Sequence, residues 1–168
     1  MPITVQSLAE WEEAGTKGML SVVIPAHNEE GHIENTITAL TEQLCQEGIN
    51  HEVLVINDNS TDDTEEILRQ LDNEKVRYLN NEPPNGFGYA VRLGLKAFLG
   101  DCVAIVMADG SDDPVDLVRF YREFESGADC VFGTRFSRTS QVVDYPWPKR
   151  LLNRLGNLLI RLLFLTRY

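Results

Sequence analysis

Acidic and amide side chains crowd behind three apolar runs of this 168-residue chain. Residues 21–25 lead into His27-Asn28-Glu29-Glu30, residues 52–56 into Asn57-Asp58-Asn59, and residues 103–107 into Asp109-Gly110-Ser111-Asp112-Asp113. Carboxylates and amides accept hydrogen bonds from base and ribose groups, and a hard divalent cation held against phosphates takes the same oxygen ligands. If the three runs are neighbouring parallel strands, one sheet edge carries a row of oxygens suited to a nucleotide sugar and its metal.

The intervening segments supply that arrangement. Ile33, Ile37, Leu40 and Leu44 recur at a helical period, which predicts an amphipathic helix over 31–47. Strand, helix and strand form a right-handed parallel crossover. The alternation continues with a helix over 61–71, a strand over 76–79, a helix over 88–99, the 103–107 strand, a proline-started helix over 114–125 and a strand over 129–133. The expected fold is α/β: a doubly wound, mostly parallel sheet with helices on both faces, in which ligands bind beyond the carboxyl ends of the strands.

Each candidate residue has a chemical reason. Pro25 lacks a backbone N–H and is expected to end the first strand, leaving Asn28 and Glu29 to address base or ribose. The same residues suit a helix N-terminus, and both roles are compatible. Asp58 is positioned to read base N–H groups, while Ser60, Thr61, Asp62 and Asp63 read as a capping cluster. Gly86 and Gly88 let the backbone pass close to a donor, and Gly94 lets its helix pack tightly on the sheet. They are not a dinucleotide fingerprint, because the turn after the first strand reads PAHNEE. Asp109, with Ser111, Asp112 or Asp113, is the expected ligand set for Mg²⁺ or Mn²⁺. Asp112 and Asp113 equally suit the start of the next helix. His27, His32 and His51 fall in or beside loops, and none has the partner that a general base needs.

Net charge is −11, but residues 1–134 hold 8 Lys/Arg against 25 Asp/Glu (−17) and residues 135–168 hold 7 against 1 (+6). The acidic body excludes nucleic acid as a partner. The basic tail threads Lys149, Arg150, Arg154, Arg161 and Arg167 through leucines, a pattern for a helix lying in a membrane interface or for a core helix of a larger domain. Cys45, Cys102 and Cys130 lack metal-ligand spacing and read as buried free thiols. Residues 1–17 lack a signal-type apolar core, so the expected location is cytoplasmic, peripheral at a membrane face.

The motifs VVIPAHNEE (22–30), VLVINDNSTDDT (53–64), GFGYAVRLGLKAFLGD (86–101), VMADGSDDP (106–114) and FGTRF (132–136) together resemble family 2 glycosyltransferases of the GT-A fold, and within them polyprenyl-phosphate sugar transferases of the dolichol-phosphate mannosyltransferase type. The resemblance covers about residues 19 to 165, in the family's order. It implies transfer of a hexose, with inversion, from a GDP-mannose or UDP-glucose type donor to a polyprenyl phosphate. Arg135 is then expected beside the donor diphosphate or gripping the acceptor phosphate. The chain departs from the pattern where Met107 occupies the usual first aspartate of the Asp-x-Asp pair, leaving Asp109 as the second. The implied organisation is an N-terminal extension (1–18), a nucleotide-sugar-binding domain (19–148) and a basic amphipathic helix (149–168). Family members continue beyond that last segment with acceptor-side structure, so its apolar stripe is expected to be covered, for example by self-association. A catalytically silent nucleotide-sugar-binding module is the alternative. A nucleotidyltransferase is a further one, though the glycine-rich basic loop it needs after the first strand is absent.

Overall fold

The computed structural model describes residues 18–133 together with 155 and 156. The chain divides into two units, residues 1–131 and 132–168. Of the second, Leu155 and Gly156 are helical and exposed, and most of the basic 149–168 segment and Arg135 lie outside the described residues.

The first unit alternates strand and helix: β1 (Leu20–Ala26), α1 (Ile33–Gln46), β2 (His51–Asn57), α2 (Thr64–Gln70), β3 (Val76–Asn80), α3 (Phe87–Ala97), β4 (Cys102–Ile105) and α4 (Pro114–Glu125). All pairings are parallel, in the order β3-β2-β1-β4. β1 and β2 are buried along their whole length, which is why they read as unbroken apolar runs rather than as alternating ones. The chain winds outward from β1 to β3 and then crosses back to place β4 on the other side of β1. The order therefore reverses between β1 and β4, the place where such sheets open a crevice.

Successive side chains of a strand point to opposite faces. Leu20, Val22, Ile24, Val53 and Val55 pack with Ile33, Ile37, Leu40, Leu44, Leu68, Leu117 and Val118, so α1, α2 and α4 cover one face. Val23, Leu54 and Ile56 pack with Ala90 and Leu93, so α3 covers the other. Gly94 makes that contact possible: a Cβ there would overlap the Val23 side chain. At the amino end of the α3 face a polar network is sealed in. Glu52, fully buried, accepts from Ser21 Oγ (2.5 Å), Leu99 N (2.7 Å) and Arg77 Nε (2.7 Å), while Arg77 also donates to the Ala97 carbonyl. The network joins the sheet to the end of α3.

Four expectations change. Pro25 does not end β1, which runs on to Ala26 with Pro25 opposite Ile56. Val106 N–H donates to the Val23 carbonyl (3.0 Å), so the odd-numbered β1 residues direct their polar backbone groups toward β4. The last β4 pairing is Val23 with Ile105. Pro25 thus stands where β4 has already diverged, and its missing N–H costs no ladder bond. β4 ends at Ile105 rather than Met107: after Val106 the chain turns to α1, where the Ala108 carbonyl accepts from Thr36 Oγ1 (2.9 Å) instead of joining the ladder, and the Met107 N–H, facing away from β1, is taken by Asp112 Oδ2 (2.9 Å). Residues 129–133 form no strand; their apolar run is short and finds no ladder partner among the described residues. The cysteines are free but not buried, Cys45 and Cys130 being exposed and Cys102 half-buried.

Candidate functional site

The loops that leave β1 and β2 are zipped together. Asn28 and Asn59 both adopt a left-handed backbone (φ 56°), a conformation that asparagine tolerates better than most residues. Asn28 N donates to Ser60 Oγ (3.1 Å), and its side-chain oxygen accepts from Thr61 N (2.7 Å). Glu29 N donates to Thr64 Oγ1 (2.8 Å), Glu30 N to Asp62 Oδ2 (3.1 Å), and Asp63 N to Glu30 Oε2 (3.0 Å). Burial acts to raise the Asp62 carboxyl, but the Thr64 hydroxyl and the Glu30 and Thr64 amides outweigh it and hold it below the usual carboxylate range. Asn28 and Asp62 therefore serve as stitches between loops.

His27 completes this seam. Its Nδ1 lies 2.7 Å from the Asp58 carbonyl, which can only accept, so the proton sits on Nδ1 and Nε2 is left to accept from Asn28 Nδ2 (3.3 Å). Asp58, 6 % exposed, follows Glu52, Leu54 and Ile56 on the α3 side of the sheet. Its carboxylate meets the start of α3. Gly86 N donates to both oxygens (2.8 and 3.1 Å), and Asn81 Nδ2 donates to Oδ1 at 2.7 Å with Asn85 Nδ2 at 3.4 Å. Asp58 thus anchors the β3–α3 loop, and Oδ2, with a single donor among the described residues, is the oxygen with remaining capacity. Gly86 needs its glycine for φ 123°. Gly88 lies in the first turn of α3 with open space beside its Cα.

Across the β1–β4 crevice the acidic run of the third loop is divided among tasks. Asp109 Oδ1 accepts from Ser111 N (3.0 Å). The Ser111 hydroxyl is the main influence holding the Asp109 carboxyl below its ordinary value; partial burial opposes it, and the Ser111 amide and nearby His32 add to it. Asp112 braces the Met107 amide on the outer side of the β4 extension, and Asp113 caps α4 through Val115 N (2.9 Å) ahead of Pro114. Thr36 Oγ1 donates to the Ala108 carbonyl (2.9 Å), fixing this loop to α1. His32, Thr36, Asp109, Gly110, Asp112 and Pro114 line a groove. His32 Nδ1 is 3.3 Å from Glu29 Oε2, and His32 lines the groove with Asp109.

The structure therefore brings Glu29, Asp109 and Asp112 to the crevice side, with Ser111 beside Asp109, and gathers Asp58 with Gly86 at the α3 side. The 27–32 loop joins the two groups, since His27 touches Asp58 at one end and His32 lines the groove with Asp109 at the other. Thr36, Asn81 and Asn85 were not among the residues singled out from sequence, and His32 was set aside there as lacking a partner, which Glu29 supplies. The amide-rich stretch NNEPPNG (80–86) was a visible signal for Asn81 and Asn85. His51 is no loop residue: it is buried in β2 at the opposite edge of the sheet.

Strand order, switch point and oxygen-lined loops define an α/β domain of the GT-A type. The family profile described as Glycosyl transferase family 2 matches residues 21–167, and the chain belongs to that family. It is similar to a dolichol-phosphate mannosyltransferase of Pyrococcus furiosus, 26 % identical over 80 % of this chain and 38 % of that protein. An uncharacterized glycosyltransferase of Mycobacterium tuberculosis is 33 % identical over 79 % of this chain and 55 % of its own length. Among solved structures, glucosyl-3-phosphoglycerate synthase of M. tuberculosis, crystallised with Mn²⁺ and UDP-glucose, superposes with a TM-score of 0.55 at 26 % identity, over 71 % of this chain and 43 % of that one. The chain thus spans about 38 to 55 % of the length of these curated relatives.

Proposed function

We propose that this chain binds a nucleoside diphosphate sugar, of the GDP-mannose or UDP-glucose type, and transfers its hexose to a phosphate-bearing acceptor, with polyprenyl phosphate the preferred one. The carrying observation is the ionised Asp109 beside the β1–β4 switch point, in a groove it shares with His32, whose partner is Glu29, while the 27–32 loop runs from there to Asp58. Glu29 accepts from ribose hydroxyls, Asp58 Oδ2 from the base, and Asp109 faces the diphosphate. Arg135, outside the described residues, is assigned to a donor or acceptor phosphate.

Among the described residues no three His, Cys, Asp or Glu side chains gather as an all-protein cage. Asp109 with Ser111 or Asp112 instead suits an ion such as Mg²⁺ or Mn²⁺, which keeps several waters and takes the rest of its ligands from phosphate. Bound there, such an ion offsets the charge that builds on the departing diphosphate. The acceptor phosphate oxygen forms a bond to the anomeric carbon as the bond to the diphosphate oxygen breaks, the electron pair leaving with the diphosphate. A phosphate monoester is already anionic near neutral pH, its second pKa being about 6, so no base has to remove a proton. His27 is engaged by the Asp58 carbonyl and His51 is remote; His32, contrary to the expectation from sequence, does have a carboxylate partner in Glu29 Oε2 (3.3 Å), but an anionic phosphate acceptor leaves it no proton to remove.

The likeness to glucosyl-3-phosphoglycerate synthase supports a second reading, a small phosphorylated acceptor. Incubation of the full chain with GDP-mannose or UDP-glucose, Mg²⁺ or Mn²⁺, and either a short polyprenyl phosphate or 3-phosphoglycerate separates them by product. Binding of the donor without transfer to either acceptor would identify a silent binding module instead. The proposed location is the cytoplasmic face of a membrane, reached through the basic 149–168 segment and with self-association covering its leucines. Among the described residues no helix is long and apolar enough to cross a membrane.

A further inference from the structure

The strand order sets Asp58 between two amide-bearing loops. β2 lies between β3 and β1. The ladder continues one step past the strands, with the Asp58 N–H donating to the Ala26 carbonyl (2.8 Å) and the Asn81 N–H to the Asn57 carbonyl (2.9 Å). Asn81 therefore stands on the β3 side of Asp58 and the 27–28 turn on its β1 side. Hydrogen bonds within this row divide the two carboxylate oxygens. Oδ1 accepts from Asn81 Nδ2 (2.7 Å), Gly86 N (3.1 Å) and Asn85 Nδ2 (3.4 Å), three donors that use up its lone pairs. Oδ2 accepts from Gly86 N alone (2.8 Å) among the described residues, so one acceptor position is left. Hydrogens are left over on both loops. A side-chain amide has two N–H groups. Asn81 Nδ2 spends one on Asp58, Asn28 Nδ2 spends one on the His27 Nε2 (3.3 Å), and neither has a second acceptor among the described residues. What the row offers an incoming group is one acceptor with a spare donor on either loop.

We propose that Asn28, Asn81 and Asn85 make Asp58 a reader of a single imide N–H, and so set the base of the donor as uracil or thymine rather than guanine. The inference rests on the reading of this chain as a binder of nucleoside diphosphate sugars, and narrows it. The hydrogen-bonding edge of uracil or thymine presents two carbonyls with one N–H between them, which is the complement of the row. Guanine presents a carbonyl, an N–H and an amino group. Its two neighbouring donors require both oxygens of one carboxylate, but Oδ1 is full, and the amino group meets the asparagine amides donor against donor. Cytosine and adenine each put a ring lone pair beside their amino group, and that lone pair faces the Asp58 carboxylate. A polar group left unpaired at a site 6 % exposed costs the wrong base affinity. Without Asn81 and Asn85 both oxygens would be open and the same aspartate would suit guanine. The asparagines, not the carboxylate, carry the choice.

The test is calorimetry on the full chain with Mg²⁺ and UDP, CDP, GDP or IDP. UDP is expected to bind tightest. CDP, of the same ring size, and GDP are each expected to bind about 5- to 150-fold more weakly, the range that one unpaired buried polar group spans. The base of IDP is guanine without its amino group, so IDP is expected to bind more tightly than GDP although the two purines match in size. Asn81→Ala opens Oδ1 and removes a donor, and is expected to narrow the ratio of UDP to GDP affinity; Asn85→Ala acts in the same direction through the longer bond. An asparagine with a merely structural role would weaken every nucleotide alike and leave that ratio unmoved. GDP bound as tightly as UDP, IDP bound no more tightly than GDP, or an unmoved ratio in Asn81→Ala overturns the inference and leaves donor binding standing. Binding of none of the nucleotides overturns the donor reading and this inference with it. The nucleotides are compared on the unsubstituted chain, so the inference is decided even where a variant fails to fold.

Discussion

Replacing Asp58 by asparagine isolates what the carboxylate does for the β3–α3 loop. In the native protein both oxygens accept, from Gly86 N and from the amides of Asn81 and Asn85, at a site only 6 % exposed. An asparagine keeps one accepting oxygen. With its oxygen at the Oδ1 position, Gly86 N and Asn81 Nδ2 keep an acceptor, but the new NH₂ confronts the Gly86 N–H and is itself a buried donor without an acceptor. Turned the other way, it confronts the Asn81 amide. A buried unsatisfied donor costs about 1–3 kcal/mol, and downgrading the remaining charged hydrogen bond to a neutral one costs about 1 more. The sum, roughly 2–4 kcal/mol, is a large share of a typical total stability of about 5–15 kcal/mol. At about 2–4 °C per kcal/mol for a chain of this size, 3 kcal/mol lowers the melting temperature by about 6–12 °C. Urea unfolding gives the free energy, and hydrogen exchange of residues 81–86 locates it, with the Gly86 amide losing protection first. A variant that loses less than about 0.5 kcal/mol, within the ordinary range for surface substitutions, and keeps Gly86 protected would refute the anchoring role. If such a variant also lost nucleotide binding, Asp58 would be a ligand contact alone.

Four further outcomes are expected. Gly94→Ala places a methyl group against Val23; overpacking costs about 1–3 kcal/mol, partly offset by about 1 kcal/mol of helix propensity, so calorimetry should show a net loss. Arg77→Met strands Glu52, 1 % exposed, as an uncompensated buried charge, and should lower urea stability by about 3–5 kcal/mol, which Glu52→Gln added to it partly restores. Burial is the main cause that pushes the His51 pKa below its unfolded value of 6.5; the Lys75 charge adds to this and the hydrogen bond to the Ile49 carbonyl opposes it. Because the unfolded chain binds the proton more readily, this contribution is complete above pH 6.5, falls as pH drops below it and levels off below the lowered folded pKa. Urea titrations across that window should show the slope, flattened in His51→Gln. Asp109→Asn, at an exposed site, should leave stability within about 0.5 kcal/mol while reducing metal-dependent transfer at least 100-fold, measured by product formation.

What the amino-acid order settled by itself was local. β1 and β2 are continuous apolar runs and α1 has a stripe every three to four residues, so element type and the parallel α/β layering follow from hydrophobic periodicity alone. The tight seat of Gly94 against the sheet was legible for the same reason. The roles of the acidic residues were legible only in part, Asp113 standing at the helix start expected of it. Asp58, Asp62, Asp109, Asp112 and Asp113 are one chemical type in similar loops, yet they anchor a distant loop, stitch two loops, stand at the crevice, brace a strand extension and cap a helix. Which donor a carboxylate meets depends on backbone groups far along the chain, 32 positions away for Asp62 and Glu30 and 47 for Glu52 and Leu99, brought near only when the strands pair. Pro25 shows the same division: its missing donor is a property of the residue, but whether that ends a strand or marks a crevice was decided by where β4 stops pairing.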